Sequence, residues 1–125
     1  TQVAGRAVHI SALHPFPPIL PGARARRDAM FGEVAERAPD HGRFIVAGDF
    51  NASPWAPGFR RLPGRRAGDP RFFSTFPAFS AVGGITIDHI LIGDAFAVTR
   101  YAVGPDLGSD HRPVLAALRF LEDGP

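Results

Sequence analysis

The sequence predicts one α+β domain in which a mostly antiparallel sheet is covered by a single helix. Several short apolar runs have the two-residue period of strands, and only one segment has helical spacing. The 14 glycines and 13 prolines fall between these periodic segments and separate the elements. With 125 residues, 45% of them hydrophobic, the chain can bury one core, and we assign residues 1–125 to one domain.

The first half of the chain is predicted to form a strand, a helix and a second strand. Residues 6–13 alternate as a strand does and end at a proline-rich turn, and residues 44–47 form a short buried strand. A helix is predicted from Ala23 to Ala38, before Pro39, with its buried side formed by Ala25, Ala29, Met30, Val34 and Ala38. Its solvent side would carry the charged residues Arg24, Arg26, Arg27, Glu33, Glu36 and Arg37.

The second half is predicted to contain a loop-rich segment followed by three strands. A helical turn is expected at 59–62 within the loop-rich part. Residues 85–92 and 96–103 are predicted to be strands joined as a hairpin at Gly93-Asp94, and 113–120 form the last strand.

Composition limits the chemistry that the chain can perform. All 14 basic residues are arginine and the formal net charge is +2, which allows a phosphate-rich partner without requiring one. The absence of cysteine excludes disulfides, thiolate metal sites and thiol nucleophiles, so any metal must bind oxygen or imidazole. No apolar run approaches the length of a membrane span, and no signal-peptide pattern opens the sequence.

Three polar motifs lie at predicted strand ends, in segments 48–51, 87–91 and 108–114. In an extended segment Asp49 and Asn51 would face one ligand, with Phe50 packed behind them. Carboxylate and amide oxygens suit Mg²⁺ or Mn²⁺, which also bind phosphate oxygens. This pattern therefore predicts a metal-dependent site that acts on phosphate.

The third motif places Asp110, a candidate metal ligand, beside His111, which can donate to a phosphoryl oxygen. Asp88, entering from a neighbouring strand, would accept from the imidazole of His111 and raise its pKa. His89 would point to the opposite side and pack. Each motif alone is more typical of a turn or a helix cap, but the three together favour a functional site.

The motifs GDFN, IDHIL and SDHRPV resemble the C-terminal half of the endonuclease/exonuclease/phosphatase superfamily, whose fold is the deoxyribonuclease I-like four-layer α/β sandwich. The resemblance runs from about Val8 to Phe120. It implies an Mg²⁺- or Mn²⁺-dependent hydrolase acting on a phosphodiester, with a nuclease preferred. A lipid or small-molecule phosphatase or phosphodiesterase is the alternative, and a non-catalytic scaffold or inactive fragment is the second.

The resemblance also implies roles for individual residues. Asp49 would orient or deprotonate the attacking water, and Asn51 would bind phosphate or metal, as would Asp49 itself. His111, held by Asp88, would contact the scissile phosphate, and Asp110 would bind the metal. His14 matches a strand-end histidine that contacts phosphate in several branches, although Ala12-Leu13 replaces the Asn-Thr of phosphatase-like branches.

Members of the superfamily are longer, and their N-terminal half supplies a second sheet, an asparagine and a metal-binding glutamate. Neither Glu33, Glu36 nor Glu122 fits that glutamate. We therefore expect an exposed apolar sheet face that the missing N-terminal half, or another partner, would cover. Some bacterial members tether this domain to a membrane through the N-terminal region, and the location of this chain is not determined by its sequence.

A cluster of arginines after GDFN offers a contact to DNA or RNA. Trp55 could stack on a base while the arginines follow the backbone. The equally simple interpretation is a solvated loop in a protein whose only basic residue type is arginine. The arginines concerned are Arg60, Arg61, Arg65, Arg66 and Arg71.

Overall fold

The computed structural model describes residues 1–69, 74–80 and 83–121, and the predicted mixture of strands with one helix is confirmed there. The helix α1 spans Ala23–Glu36, and a 3₁₀ helix spans Pro57–Arg61. The strands are β1 (Gln2–Val3), β2 (Arg6–Ala7), β3 (His9–Leu13), β4 (Phe44–Asp49), β5 (Arg65–Arg66), β6 (Asp88–Ile92), β7 (Phe96–Val103) and β8 (Val114–Phe120).

The strands form a four-stranded sheet and two two-stranded sheets. The larger sheet has the order β3-β4-β6-β5, in which only β3 and β4 are parallel. Parallel neighbours need a long crossover connection, and α1 lies in that connection. β7 pairs with β8, and β1 pairs with β2, both antiparallel.

Two hydrophobic clusters cover the two faces of the four-stranded sheet. On one face Phe31 of α1 packs with Phe50 and Leu91, all at most 2% exposed. On the other face Ile92 packs with Phe96 and with residues of the β7–β8 pair. Leu91 and Ile92 are adjacent in β6 and point to opposite faces, so β6 is buried on both sides.

The buried face of α1 differs from the predicted one. Ala25, Ala29 and Met30, predicted to be buried, are exposed, whereas Arg27, predicted to face solvent, is 4% exposed. The helix is rotated because Phe31 is the largest apolar side chain in it, and burying Phe31 also buries Arg27, one turn earlier. The prediction failed because it treated every arginine as solvated.

The hairpin predicted at Gly93-Asp94 is also wrong. β6 pairs with β4 and β5, whereas β7 pairs with β8 in another sheet, so the chain changes sheets at residues 93–95. Gly93 donates its N–H to Phe44 O, and a Cβ on Gly93 would collide with the carbonyl of Gly42. The glycine allows two backbones to approach closely here and does not form a tight turn.

Other boundaries agree within a few residues. The predicted strand 85–92 is regular only in Asp88–Ile92, while Ile85 forms an isolated bridge with Phe76. Arg71 and Glu122 lie outside the described residues. Within the described part of the chain, no helix has the length and apolarity that crossing a bilayer requires.

Candidate functional site

Sheet topology brings three of the predicted residues to one edge of the four-stranded sheet. The parallel strands β3 and β4 end side by side, with Leu13 opposite Gly48. The antiparallel strand β6 begins at the same edge, with Asp88 opposite Asp49. His14 follows β3 directly, so all three polar side chains leave from neighbouring strand ends.

Gly48 permits the close approach that places Asp49. Its φ is +146°, and a Cβ at this position would collide with the carbonyl oxygen of Leu13 on β3. Asp49 is the last residue of β4, and its Oδ1 accepts the N–H of Asn51 at 2.8 Å. Phe50, between them, is fully buried, as predicted.

Asn51 does not continue the extended backbone on which its predicted placement depended. Its φ is +47°, a left-handed conformation that asparagine tolerates better than most residues. Its Nδ2 donates to the carbonyl of Pro15 at 2.9 Å, which ties the loop after β3 to the end of β4. The chain turns after Asp49, so the alternation of strand side chains does not apply to Asn51, and its role as a phosphate or metal ligand stays a prediction.

The side chain of His111 lies between two carboxylates. Its Nδ1 is 2.8 Å from Oδ2 of Asp88, the contact that the sequence predicted. Its Nε2 is 3.9 Å from Oδ2 of Asp49. Nε2 of His14 lies 3.7 Å from the same oxygen of Asp49, although the side chain of His14 is 78% exposed.

The nearby carboxylates favour the charged form of His111. Partial burial lowers the pKa of His111, but the hydrogen bond and negative charge of Asp88, assisted by the charges of Asp49 and Asp110, outweigh it. The pKa of His111 is therefore raised above its ordinary value of 6.5. A protonated imidazole with Nδ1 held by Asp88 can donate from Nε2.

His89 has the opposite environment, as the sequence predicted. Its ring packs against Phe50 and Phe59, and its Nε2 lies 3.0 Å from the carbonyl of Ala52. Burial is the main reason that the pKa of His89 falls from 6.5 to about 4, and the charge of Arg66 lowers it further. His89 is thus a neutral core residue beside the site.

Asp49, Asp88 and His111 line an open cleft of about 440 Å³ and have a donor set that fits a divalent cation. One ligand atom from each of the three residues lies within 4.8 Å of the others. Carboxylate oxygens with one imidazole are ligands that Mg²⁺ and Mn²⁺ accept. In the described part of the chain, Asp110 is not close enough to belong to this group of three residues. It is exposed, and its Oδ1 lies 3.5 Å from the hydroxyl of Ser109. The predicted metal-binding role of Asp110 is therefore untested.

Arg27 supports the end of β4 from the helix, and the sequence analysis missed it. Its Nη1 donates to the carbonyl of Asn51 at 2.9 Å, while Nε and Nη2 donate to Oδ1 of Asp28 at 3.1 and 2.9 Å. Its guanidinium also lies over the ring of Phe31. The i to i+4 spacing of Arg27 and Phe31 was the available signal, because the two residues share a helix face.

The segment 74–80 was missed as well. The Oγ1 atom of Thr75 accepts the N–H groups of Ile87 and Asp88, and the ring of Phe76 lies 4.9 Å from that of His111. Arg112 donates from its N–H to the carbonyl of Thr75 and from Nε to the carbonyl of Ala78. No pattern in the sequence marks this segment, since its contacts are to the backbone of residues distant in the chain.

The described arginines of the predicted nucleic-acid contact lie on the 3₁₀ helix and on β5. Arg65 uses Nη2 to bind the carbonyl of Phe96 at 2.8 Å. Among the arginines that the structure describes, Arg112 lines the cleft with Asp49 and His111, and it is bound to the 74–80 segment. Trp55 is 68% exposed.

Solved structures share this arrangement of elements over half of their length. A mannosyl-6-phosphatase from Bacteroides thetaiotaomicron is 25% identical with a TM-score of 0.68, covering 89% of this chain and 51% of its own. An endonuclease/exonuclease/phosphatase family protein from the same organism is 25% identical with a TM-score of 0.65, covering 89% and 49%. A conserved protein of unknown function from Enterococcus faecalis is 21% identical with a TM-score of 0.67, covering 90% and 50%. This chain thus spans about half the length of the structures that it matches.

The sequence comparisons agree with the fold. No curated protein matches the chain significantly. Residues 3–111, which include Asp49, Asp88, Asp110 and His111, match the Endonuclease/Exonuclease/phosphatase family. This chain belongs to the endonuclease/exonuclease/phosphatase family.

Proposed function

We propose that this chain carries the catalytic carboxylates and histidine of a divalent-metal-dependent phosphoester hydrolase. The observation that supports this most directly is the position of Asp49 Oδ2, which faces Nε2 of His111 at 3.9 Å and Nε2 of His14 at 3.7 Å. A carboxylate that accepts protons and a charged imidazole that donates them are therefore adjacent in one open cleft.

The two acidic residues have different tasks in this proposal. Asp49 has one oxygen occupied by the N–H of Asn51, and its other oxygen accepts a proton from the water that attacks phosphorus. Asp88 binds Nδ1 of His111 and keeps the ring charged and oriented. His111 then donates from Nε2 to a phosphoryl oxygen as negative charge develops, while the ester P–O bond breaks on the side opposite the water.

Asp49 and Asp88 would hold the cation through carboxylate oxygens, with Asp110 and Asn51 as the additional ligands that the sequence predicts, while the charged ring of His111 contacts the phosphate. A divalent cation bound there would neutralise charge on the phosphoryl oxygens. Mg²⁺ or Mn²⁺ is proposed because the donors are mainly oxygen atoms.

Two separate observations support different substrate classes. A phosphodiester of DNA or RNA is supported by the net charge of +2 and by the arginines near exposed Trp55. A small phosphomonoester is supported by the 25% identity to the mannosyl-6-phosphatase. A lipid phosphoester is a further alternative within the same chemistry.

A panel of substrates with matched variants tests the proposal. Hydrolysis of p-nitrophenyl phosphate, bis-p-nitrophenyl phosphate, plasmid DNA and phosphoinositide vesicles would be measured with Mg²⁺ or Mn²⁺ and again with EDTA. Asp49→Asn and His111→Gln should each lower the rate by at least about a hundredfold. His41→Gln is the control, because His41 is exposed and precedes β4 at the sheet edge opposite Asp49.

Activity on none of these substrates, or equal activity in Asp49→Asn and wild type, would support the second alternative, a non-catalytic scaffold or inactive fragment of this fold. Preference for plasmid DNA would support the nuclease, and preference for the monoester would support the phosphatase. We also propose that further polypeptide, an N-terminal half or a partner, covers apolar sheet residues such as Ile10 and Leu115, which are 54% and 55% exposed.

A further inference from the structure

We propose that Thr75 is a positioning residue that fixes Asp88 against His111. Its effect on hydrolysis rests on the proposed function, but its effect on the geometry of the pair does not. Thr75 lies outside the three polar motifs and would not touch the substrate, since its side chain is fully buried.

The hydroxyl of Thr75 holds the start of β6. Its Oγ1 accepts the N–H of Ile87 at 3.1 Å and the N–H of Asp88 at 3.2 Å, and it lies 3.5 Å from the carbonyl of Ile85, to which it donates. Two consecutive backbone donors thus share one side-chain oxygen in a buried place. Without that oxygen both N–H groups would need another acceptor, and leaving buried donors unpaired is unfavourable.

The main chain of Thr75 holds the other partner of the pair. Its carbonyl accepts the N–H of Arg112 at 2.9 Å, directly after His111. Next to it, Phe76 packs its ring on the imidazole, and Ala78 donates its N–H to the carbonyl of Asp110 at 2.7 Å. One residue therefore binds the backbone of Asp88 through its side chain and the backbone beside His111 through its carbonyl.

This connection matters because Asp88 lies on a strand of one sheet, whereas His111 lies in the loop that leads into a strand of another. Asp88 begins β6 of the four-stranded sheet, and His111 precedes β8 of the two-stranded sheet. Thr75 contacts both segments directly. Its hydroxyl therefore fixes the position of Asp88 relative to the imidazole of His111. A shift of about 1 Å at such a contact is enough to lower a rate by about a hundredfold.

The test compares side chains that differ mainly in the hydroxyl. Thr75→Val keeps the shape and removes the oxygen, whereas Thr75→Ser keeps the oxygen. Thr99→Val is the matched control, because Thr99 donates to Ala117 O on an exposed part of β7. If Thr75→Val does not fold, the pair Thr75→Ala and Thr75→Ser makes the same comparison.

The first readout does not need activity. Amide hydrogen exchange at Ile87 and Asp88 should accelerate by about tenfold in Thr75→Val while Leu91, nearer the other end of β6, is unchanged. The proton resonance of His111 Nδ1–H should shift or broaden in Thr75→Val and return in Thr75→Ser. Unchanged exchange and an unchanged resonance in Thr75→Val, or the same loss in Thr75→Ser, would overturn the proposal.

The second readout separates positioning from stability. Measured well below the unfolding temperature on the best substrate of the panel, kcat should fall between about tenfold and about a hundredfold in Thr75→Val, with KM nearly unchanged. A lower melting temperature with wild-type kcat and a wild-type His111 resonance would assign Thr75 a structural role only. If the wild-type protein hydrolyses nothing, the proposed function fails, and exchange and resonance still decide whether Thr75 positions the pair.

Discussion

Oδ2 of Asp88, at the start of β6, lies 2.8 Å from Nδ1 of His111, in the loop before β8. The carboxylate is therefore the main reason that the pKa of His111 rises in spite of burial. Asp88→Asn should lower the pKa of His111, because burial still disfavours the charged ring after its charged partner is gone. Titration of the imidazole Cε1 proton by NMR would measure the shift.

The same pair predicts how stability depends on pH. Because the pKa of His111 is raised in the folded state, its contribution is fully present below 6.5 and is lost as pH rises through the folded value. The stability difference between wild type and Asp88→Asn in urea unfolding should therefore shrink as the pH rises above 6.5. Asp106→Asn is the control, because Asp106 is in the exposed loop that also carries His111 and accepts the N–H of Gly108 there. A difference that grows with pH would contradict the assignment.

His89 predicts a loss of stability in acid. Its pKa falls to about 4 in the folded protein, so the unfolded chain binds the proton more readily between that value and 6.5. The contribution of neutral His89 is complete above pH 6.5 and declines as pH falls, by on the order of 3 kcal/mol at pH 4. Urea unfolding at several pH values would measure it, and His89→Phe should show a flatter dependence. The same slope in His89→Phe and in wild type would contradict the prediction.

Substitutions of Arg27 and Arg26 test whether the hydrogen bond from Arg27 to the carbonyl of Asn51 stabilises the protein. Arg27→Met should destabilise the protein by about 3 kcal/mol or more, because it leaves the carboxylate of Asp28 and the carbonyl of Asn51 without their donor in a mostly buried place. Arg26→Met, on the exposed side of the same helix, should change stability by less than about 0.5 kcal/mol. Chemical unfolding at neutral pH is the measurement. Equal effects of the two substitutions would refute a special role for Arg27.

Metal-binding measurements distinguish the ligands that are close together in the structure from Asp110, which only the sequence predicts to be a ligand. Asp49→Asn should weaken binding of Mn²⁺ by at least about tenfold, because it removes a charged oxygen from the group of Asp49, Asp88 and His111. Asp110→Asn decides the remaining question: a comparable loss would confirm Asp110 as a ligand, and wild-type affinity would exclude it. Isothermal titration with the metal alone measures both. Wild-type affinity in Asp49→Asn would contradict the site.

The parts of the fold that the sequence predicted are those that depend on local pattern. Strand periodicity predicted that Asp49 follows a buried strand, and the shared edge arises because β4 ends at Asp49 where its neighbour β6 begins at Asp88. The contact of Asp88 with His111 was also predictable, since an Asp-His pair needs only one free imidazole nitrogen.

The parts that failed depend on contacts between distant residues. Arg27 was assigned to solvent because the hydrophobic pattern of a helix does not show that a distant backbone carbonyl, here that of Asn51, will accept a hydrogen bond from the guanidinium. Gly93 was assigned to a hairpin because a glycine required by close backbone contact has the same signature as a glycine in a turn. The role of Thr75 could not be predicted from the sequence, because its hydroxyl accepts backbone N–H groups, which every residue except proline carries.

Phe50 occupies the position between Asp49 and Asn51, and its ring is surrounded by those of Phe31, Phe59 and His89. Loops that carry catalytic groups usually open more easily than the rest of a protein. Here the segment is anchored at its centre by a fully buried ring, so opening it requires separating Phe50 from these aromatic neighbours. In the proposed hydrolase, the Asp49 side of the cleft would therefore resist displacement when a substrate binds.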